Sequence, residues 1–180
     1  EGPAIPAEVR RRLAERGPGP PLPALPPQAL VAVLEDLRSV HNVGSILRSA
    51  DAFAVDLVVM AGITPTPEHP RLARTALGAE RTVPWAWRPS ALAAVRELAA
   101  RGLAIVALEG GPGVPPLAGA RLPLPLALVI GNEVAGVSSP VLVAADRRLA
   151  IPMRGAKTSL NAAVAFGIAA FEVRSRAAAV

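Results

Sequence analysis

The residue types in this chain narrow the chemistry that it could perform. The sequence contains no cysteine, two histidines (His41 and His69) and a single lysine, Lys157. Thiolate nucleophiles, disulfides and cysteine-based zinc sites are therefore excluded, and a histidine-rich metal site is disfavoured, so we expect no metal. Catalysis would have to come from arginine, acidic, serine or asparagine side chains, or from Lys157. Three polar segments, each following an apolar run, hold the main candidates.

The first polar segment, residues 34–50, leads from a predicted strand through a loop into a predicted helix. Asn42 could cap that helix, and Gly44 would let another part of the chain approach closely. Arg48 projects away from the apolar face. Because an arginine near a helix start opposes the positive end of the dipole, an anion such as phosphate would explain it. The local pattern by itself favours a surface arginine paired with Glu35 or Asp51.

The second polar segment, residues 128–137, is an apolar strand that runs directly into Gly131, Asn132 and Glu133. Gly131 permits a tight turn with exposed backbone groups. Glu133 lies at the carboxyl end of the strand, where parallel sheets bind their ligands. The same pattern is also typical of an ordinary turn with a solvated glutamate.

The third polar segment, residues 151–165, leads from a strand end into a long helix that Thr158 or Ser159 could cap. The helix is apolar almost all round, so we expect it to be buried on more than one side, by the sheet and by a partner subunit. Asn161 in such apolar surroundings needs hydrogen-bond partners, which points to a ligand or an interface.

The elements that position these segments alternate along the chain. Strands are predicted at 30–34, 57–61, 103–108, 126–130 and, less regularly, 148–151, because these runs are short and apolar. Helices are predicted at 45–54, 73–78, 90–101 and 159–174. This alternation predicts an α/β fold with a parallel sheet, whose ligands bind beyond the carboxyl ends of the strands. Attention therefore falls on the turns after Leu34, Leu108, Ile130 and Ile151.

Length and composition bound the remaining possibilities. The 180 residues predict one main domain, 29–180, preceded by an extension, 1–28, that holds a short basic helix (8–16) and a proline-rich linker. The extension is either a disordered or docked tail, or an arm that grips RNA. The net charge of +5 favours a polyanionic partner but does not prove one. No membrane span or signal peptide is apparent, so we expect a cytoplasmic protein.

Taken together and in order, the three segments resemble the motifs of the SPOUT superfamily, specifically the TrmH-like RNA 2′-O-ribose methyltransferases. The matching residues are Asn42-x-Gly44-x-x-x-Arg48-x-Ala50, then Ile130-Gly131-Asn132-Glu133-x-x-Gly136, then Ile151-Pro152-Met153 with Ser159-Leu160-Asn161. Residues 62–80 also resemble one bacterial subgroup. The resemblance extends from about Leu30 to Glu172, which is nearly all of the predicted main domain.

The resemblance implies a parallel-sheet SPOUT fold whose C-terminal part is tied in a deep trefoil knot. It implies a homodimer with sites at the interface, and S-adenosylmethionine bound in the knotted loops, largely by backbone groups and apolar side chains. The cofactor-binding residues that it implies are Leu108, Glu109, Gly110, Ile130, Gly131, Asn132, Ile151, Met153, Ser159 and Leu160.

The resemblance also implies the reaction, a methyl transfer to a ribose 2′-hydroxyl of tRNA or rRNA. Arg48 would engage an RNA phosphate near the reacting hydroxyl, help to remove its proton, and reach the cofactor of the partner subunit. The other catalytic residues that it implies, Asn42, Glu133, Ser159 and Asn161, would position the ribose, the cofactor and Arg48. Two alternatives remain: a catalytically inactive protein that binds RNA or an adenosine compound, and methylation of a base instead of the ribose.

Overall fold

The computed structural model describes residues 6–17 and 19–177 of the chain. Six strands alternate with helices in the predicted α/β manner. The strands are β1 (Leu30–Glu35), β2 (Leu57–Ala61), β3 (Trp85–Arg88), β4 (Ala104–Leu108), β5 (Leu126–Ile130) and β6 (Arg147–Leu149). The helices are α1 (Ala7–Glu15), α2 (Val40–Ala52), α3 (Leu72–Ala76), α4 (Ala79–Thr82), α5 (Ala91–Ala100), α6 (Ser139–Ala144) and α7 (Ala162–Ala177).

The six strands form one parallel sheet in the order β3-β2-β1-β5-β4-β6. Every residue of β1, β2 and β5 is buried, which explains why these strands are continuous apolar runs instead of alternating ones. Two apolar clusters cover the faces of the sheet: α2, α3 and α7 pack on one side, and α5 and α6 pack on the other. The prediction of a parallel α/β sheet is confirmed.

The strand order brings the three polar segments to one edge. β5 lies between β1 and β4, with Leu34 and Leu108 both in register with Ile130 at the carboxyl ends. α7 packs against α2 over β5. The turns after β1, β4 and β5 and the start of α7 therefore meet at the same place.

Several predicted boundaries were wrong, each for a local reason. α2 begins at Val40, not Ser45, and its cap is Ser39, whose side chain accepts from the backbone N–H of Asn42. Asn42 is therefore not the cap. α7 begins at Ala162, after Thr158 and Ser159, and Asn161 serves its first turn by accepting hydrogen bonds from backbone N–H groups.

Three short elements were not predicted from the sequence: β3, α4 and α6. β3 is only four residues long and ends in the charged residue Arg88, so it forms no apolar run of strand length. Arg88 is nevertheless buried, because its guanidinium makes two hydrogen bonds to the carboxylate of Glu97, at 2.7 and 3.1 Å. α6 has six residues and was too short for a helical period to show.

The residues that precede β1 contact the sheet-containing part of the chain. Leu22 is buried, and the guanidinium of Arg101 donates to the backbone carbonyls of Leu22 and Pro23. Arg16 lies over the ring of Trp87, 4.4 Å from its centroid, which is cation–π distance. Within the described ranges, no helix has the length and apolar character needed to cross a membrane.

Candidate functional site

A cavity of about 720 Å³ opens at the carboxyl edge of the sheet, between the ends of β4 and β5 and the segment that leads into α7. This volume suits a small organic ligand. All ten residues that the resemblance implied for cofactor binding line it: Leu108, Glu109, Gly110, Ile130, Gly131, Asn132, Ile151, Met153, Ser159 and Leu160.

A chain of side-chain hydrogen bonds joins the three polar segments beside this cavity. The Asn42 amide donates to Oε1 of Glu133 at 2.9 Å, and the Asn161 amide donates to Oδ1 of Asn42 at 3.0 Å. Oδ1 of Asn161 in turn accepts from the backbone of Ala163 at 2.9 Å, inside the first turn of α7. Residues 91 and 119 positions apart are thus held in one geometry by amide groups that use both their donor and acceptor ends.

The carboxylate of Glu133 is held by donors from the opposite loop. Its two oxygens accept from the backbone N–H groups of Arg38 and Ser39, each at 3.1 Å, and from the Asn42 amide. Partial burial pushes the pKa of Glu133 upward, but these hydrogen bonds outweigh the burial and hold the pKa below its ordinary value. Glu133 is therefore ionised near neutral pH and acts as an acceptor that fixes the loop, not as a proton donor.

The loop after β5 folds back on itself tightly. Asn132 and Gly136 exchange two backbone hydrogen bonds, and a Cβ on Gly131 would lie only 2.1 Å from the carbonyl carbon of Gly136. Gly136 has a φ of +69°, and a Cβ there would meet the Glu109 carboxylate at 2.4 Å. Both glycines are therefore required for the close approach. Two glycines five residues apart, directly after an apolar strand, are the sequence signal of this turn.

Two further carboxylates hold the end of this loop. Glu109 accepts from the backbone N–H of Val137 at 2.6 Å. Glu35, buried at the end of β1, accepts from both the backbone N–H and the hydroxyl of Ser138, at 3.0 and 2.5 Å. Burial raises the pKa of Glu35; the bonds from Ser138 oppose this rise, and the neighbouring charges of Asp36 and Glu109 add to it. The Glu35–Ser138 pair could not be predicted from the sequence, because no local pattern links positions 103 residues apart.

Arg48 lies elsewhere. It is exposed on α2, does not line the cavity, and makes no hydrogen bond or ion pair to any residue that the structure describes. It is also not near the helix start, because α2 begins five residues earlier than predicted, so the positive end of the helix dipole does not act on Arg48. The alternative partners are engaged otherwise: Glu35 bonds Ser138, and Asp51 accepts from the Thr82 hydroxyl.

The structure therefore brings together four of the five predicted catalytic residues. Asn42, Glu133 and Asn161 form the hydrogen-bonded chain, and Ser159 lines the cavity beside Asn161. Further lining residues that had not been predicted for the cavity are Val134, Gly136, Thr158, Ala162 and Ala165. Among the residues that the structure describes, the charged side chains in the lining are two carboxylates, Glu109 and Glu133. The described residues contain no group of acidic or histidine side chains placed to hold a metal ion.

The architecture places this chain among α/β proteins that bind a ligand at the carboxyl edge of a parallel sheet. Here the sheet has six strands, and the loops after β4 and β5 and before α7 build the cavity. The profile of the SpoU rRNA Methylase family matches residues 29–171. The chain belongs to the SpoU rRNA methylase family.

Curated relatives and solved structures agree with this assignment. The chain is 34% identical over 151 residues to a 23S rRNA (guanosine-2′-O-)-methyltransferase RlmB of Vibrio parahaemolyticus, covering 83% of this chain and 61% of that protein. It is 36% identical over 151 residues to the RlmB protein of Nitrosomonas europaea, covering 84% and 58%. Among solved structures, the chain superposes on the crystal structure of the SpoU methyltransferase AviRb from Streptomyces viridochromogenes in complex with the cofactor AdoMet. The TM-score is 0.80 at 27% identity, and the match covers 87% of this chain and 63% of that chain.

The chain thus spans about three fifths of the length of the curated relatives that it matches. The chain also superposes on a solved structure described as giving structural insights into the 2-OH methylation of C/U34 on tRNA. The TM-score is 0.74 at 29% identity, and the match covers 86% of this chain and 100% of that chain.

Proposed function

We propose that this chain is an S-adenosylmethionine-dependent RNA methyltransferase that modifies a ribose 2′-hydroxyl of tRNA or rRNA. Family membership supports the proposal, as do the RlmB relatives, which are described as guanosine-2′-O-methyltransferases. The observation that carries it is the cavity, because every residue implied for the cofactor lines one space.

The cavity suits this cofactor by charge as well as by size. S-adenosylmethionine is a methyl donor whose sulfur is cationic and which carries no phosphate. Glu109 and Glu133 are the charged side chains found among the described lining residues, and a site for a phosphate-bearing nucleotide would need cations instead. Leu108, Ile130 and Ile151 offer apolar surface for an adenine, and Thr158, Ser159 and Asn161 offer polar groups for its amino-acid end.

The RNA contact is assigned to Arg48. A ribose hydroxyl is a weak nucleophile that must lose its proton as it attacks. Arg48 is exposed and has no partner within the described structure, so its planar fork is available to a phosphate. We assign to Arg48 the binding of the phosphate beside the reacting hydroxyl, so that an oxygen of this phosphate would accept the hydroxyl proton as the ribose oxygen attacks. Asn42, Glu133 and Asn161 position the loops around the cavity, and Ser159 lies in the cavity wall.

We further propose a homodimer in which Arg48 serves the cavity of the partner. Asn42 and Ser49 of α2 and its C-cap Phe53 contact, in this order, Asn161 just before α7 and Gly167 and Phe171 within α7. The two helices therefore run side by side in the same direction.

Arg48 lies roughly 9 Å along α2 from the level of Asn42, at about 1.5 Å per residue, and so away from its own cavity. Next to α2, α7 exposes an apolar stripe with i, i+4, i+7 spacing. Its residues are Val164, Ile168 and Phe171, which are 51, 42 and 58% exposed. A second copy packed on this stripe would exclude water from it.

A deep C-terminal knot is also proposed. After β6, Ala150 pairs with the connection between β4 and β5, donating to Pro115 at 2.9 Å and accepting from Leu117 at 2.7 Å. Leu117 and Phe166 of α7 belong to the same apolar cluster. The connection and the C-terminal segment therefore lie on one face of the sheet and in contact, as threading of one through the other requires. The division into an extension at 1–28 and a methyltransferase domain at 29–180, and a cytoplasmic location, stay predictions.

The proposal is tested by replacing Arg48 with Ala. Methyl transfer to bulk tRNA and rRNA should fall by at least about 100-fold, the usual size of a proton-transfer contribution, while calorimetry shows S-adenosylmethionine affinity nearly unchanged. Arg96→Ala, an exposed arginine on the opposite face, is the matched control and should keep full activity. Nucleoside mass spectrometry of the product should place the methyl group on ribose. Full activity of Arg48→Ala, or a methylated base, would refute the proposal.

A further inference from the structure

The corner between α3 and α4 presents an apolar side chain that neither packing nor backbone preference explains. Leu77 has a left-handed backbone, with φ of +52°, and is 69% exposed. Such a backbone is uncommon for residues other than glycine or asparagine, and helices usually end in it with glycine. A leucine that gains no burial in a strained position points to a role outside the fold.

The corner is held rigidly. The backbone N–H of Leu77 donates to the carbonyl of Ala73 at 3.1 Å, and that of Gly78 donates to the Glu80 carboxylate at 2.9 Å. The Glu80 side chain is only 8% exposed. Leu77 is therefore held out in solvent by hydrogen bonds on both sides, and binding through it would cost little ordering entropy.

The corner lies beside Arg48. Gly44, Arg48 and Asp51 lie on one side of α2, at i, i+4 and i+7. Thr75 of α3 packs against Gly44, and the Thr82 hydroxyl at the end of α4 donates to Asp51 at 2.6 Å. The chain from Thr75 to Thr82 therefore passes along the stretch of α2 that carries Arg48.

Three exposed arginines lie close to Leu77 in the sequence or on the adjoining helix. Arg74 and Arg81 are exposed on either side of it in sequence, and Arg48 lies on the adjoining helix. The nearby carboxylates are engaged: Asp51 by Thr82, and Glu80 by Gly78 and by Arg81 at 3.4 Å. Arg74 makes no hydrogen bond or ion pair to other described residues. An apolar tip among arginines is complementary to a nucleic acid, whose bases offer apolar faces and whose backbone is anionic.

We infer that the α3–α4 corner is a docking surface for RNA. Leu77 packs against the face of an unpaired base, and Arg74 binds the backbone phosphate next to it. The base belongs to a nucleotide near the one whose phosphate Arg48 engages. This inference rests on the proposed function and adds to it a preference for unpaired RNA at the target.

The test separates the fold from RNA binding with Leu77→Asn in the full chain. Asparagine tolerates the left-handed backbone, so the melting temperature should rise by about 2 °C. Affinity for labelled bulk tRNA and rRNA, measured by filter binding, should nevertheless fall about fivefold or more, within the range for loss of one stacked base. Affinity for S-adenosylmethionine should not change. Val143→Asn on α6, where Val143 is 87% exposed, is the matched control and should bind RNA normally.

A second variant tests the phosphate contact. Arg74→Gln should lower the slope of log affinity against log salt by about 0.7, the value for one phosphate on a single strand. Unchanged RNA affinity in Leu77→Asn, with a wild type that binds and methylates RNA, would overturn the inference alone. So would loss of affinity accompanied by a change in oligomeric state, because the corner would then contact a second copy. A wild type that neither binds nor methylates RNA would overturn the proposed function as well.

Discussion

The side-chain amide of Asn42 connects the two halves of the candidate site. Its nitrogen donates to Glu133 and its oxygen accepts from Asn161. Neither a carboxylate nor an apolar side chain of similar size can do both. The position therefore needs an amide, and the orientation of the amide is fixed by its two partners.

Replacing Asn42 with Asp should put two carboxylates in contact. Repulsion should raise the pKa of Glu133 above its present depressed value, and the deficit in stability should grow as the pH rises and both groups ionise. Thermal unfolding between pH 4 and pH 8 measures this. His41→Asp, at an exposed neighbouring position, is the control and should show a smaller change with pH. A deficit that is independent of pH would contradict the assigned contact.

A substitution of Glu35 should change stability with pH in the opposite direction to the substitution of Asn42. Burial raises its pKa in the folded protein above the unfolded value, so the folded state loses stability as the pH rises from about 4.5, the ordinary pKa, through the folded pKa. Glu35→Gln removes this titration and keeps a group that can bond Ser138. Relative to the wild type, the variant should therefore become more stable as the pH rises. Parallel unfolding curves at all pH values would show that Glu35 has no raised pKa.

At the scale of helices and strands, the sequence predicted the strands that are uninterrupted apolar runs. β1, β2, β4 and β5 are short apolar runs and were found within one residue of their bounds. β3 could not be found, because it has only four residues and the burial of its Arg88 depends on Glu97, a residue of another element. The start of α2 was misplaced, because Asn42 and Gly44 resemble cap and turn residues although both lie inside the helix. Their types are explained by contacts distant in sequence.

Gly44 allows α2 and α3 to pack at close distance. A Cβ on Gly44 would lie 2.1 Å from the Thr75 hydroxyl and 2.7 Å from its backbone carbonyl carbon. Backbone atoms cannot move away cheaply, so Gly44→Ala should force α3 from α2 and lower the free energy of unfolding by about 1–3 kcal/mol. Denaturant unfolding measures the loss. Gly155→Ala is the matched control, since no atom lies within 4 Å of its Cβ position. Equal stability of the two variants would contradict this packing.

For the whole molecule, the sequence predicted the cavity better than the path of the chain. The ten cofactor positions came from motif resemblance, and they meet because β5 lies between β1 and β4. Periodicity carries no information about which strands are neighbours, and so it could not place Glu35 beside Ser138 or Glu109 beside Val137. It also could not show that Arg48 lies away from the cavity of its own chain. That separation is what makes a site shared by two chains the central claim.

Complementation between two inactive variants tests this claim most directly. Arg48→Ala keeps its cavity, and Glu133→Gln keeps its Arg48 but has lost one acceptor for Arg38, Ser39 and Asn42. Mixed and reassociated in equal amounts, the two should recover about a quarter of wild-type methyl transfer, because half of the dimers each contain one complete shared site. Each variant reassociated alone stays inactive. If the mixture stays as inactive as its components although mixed dimers form, Arg48 acts within its own chain and the shared site is refuted.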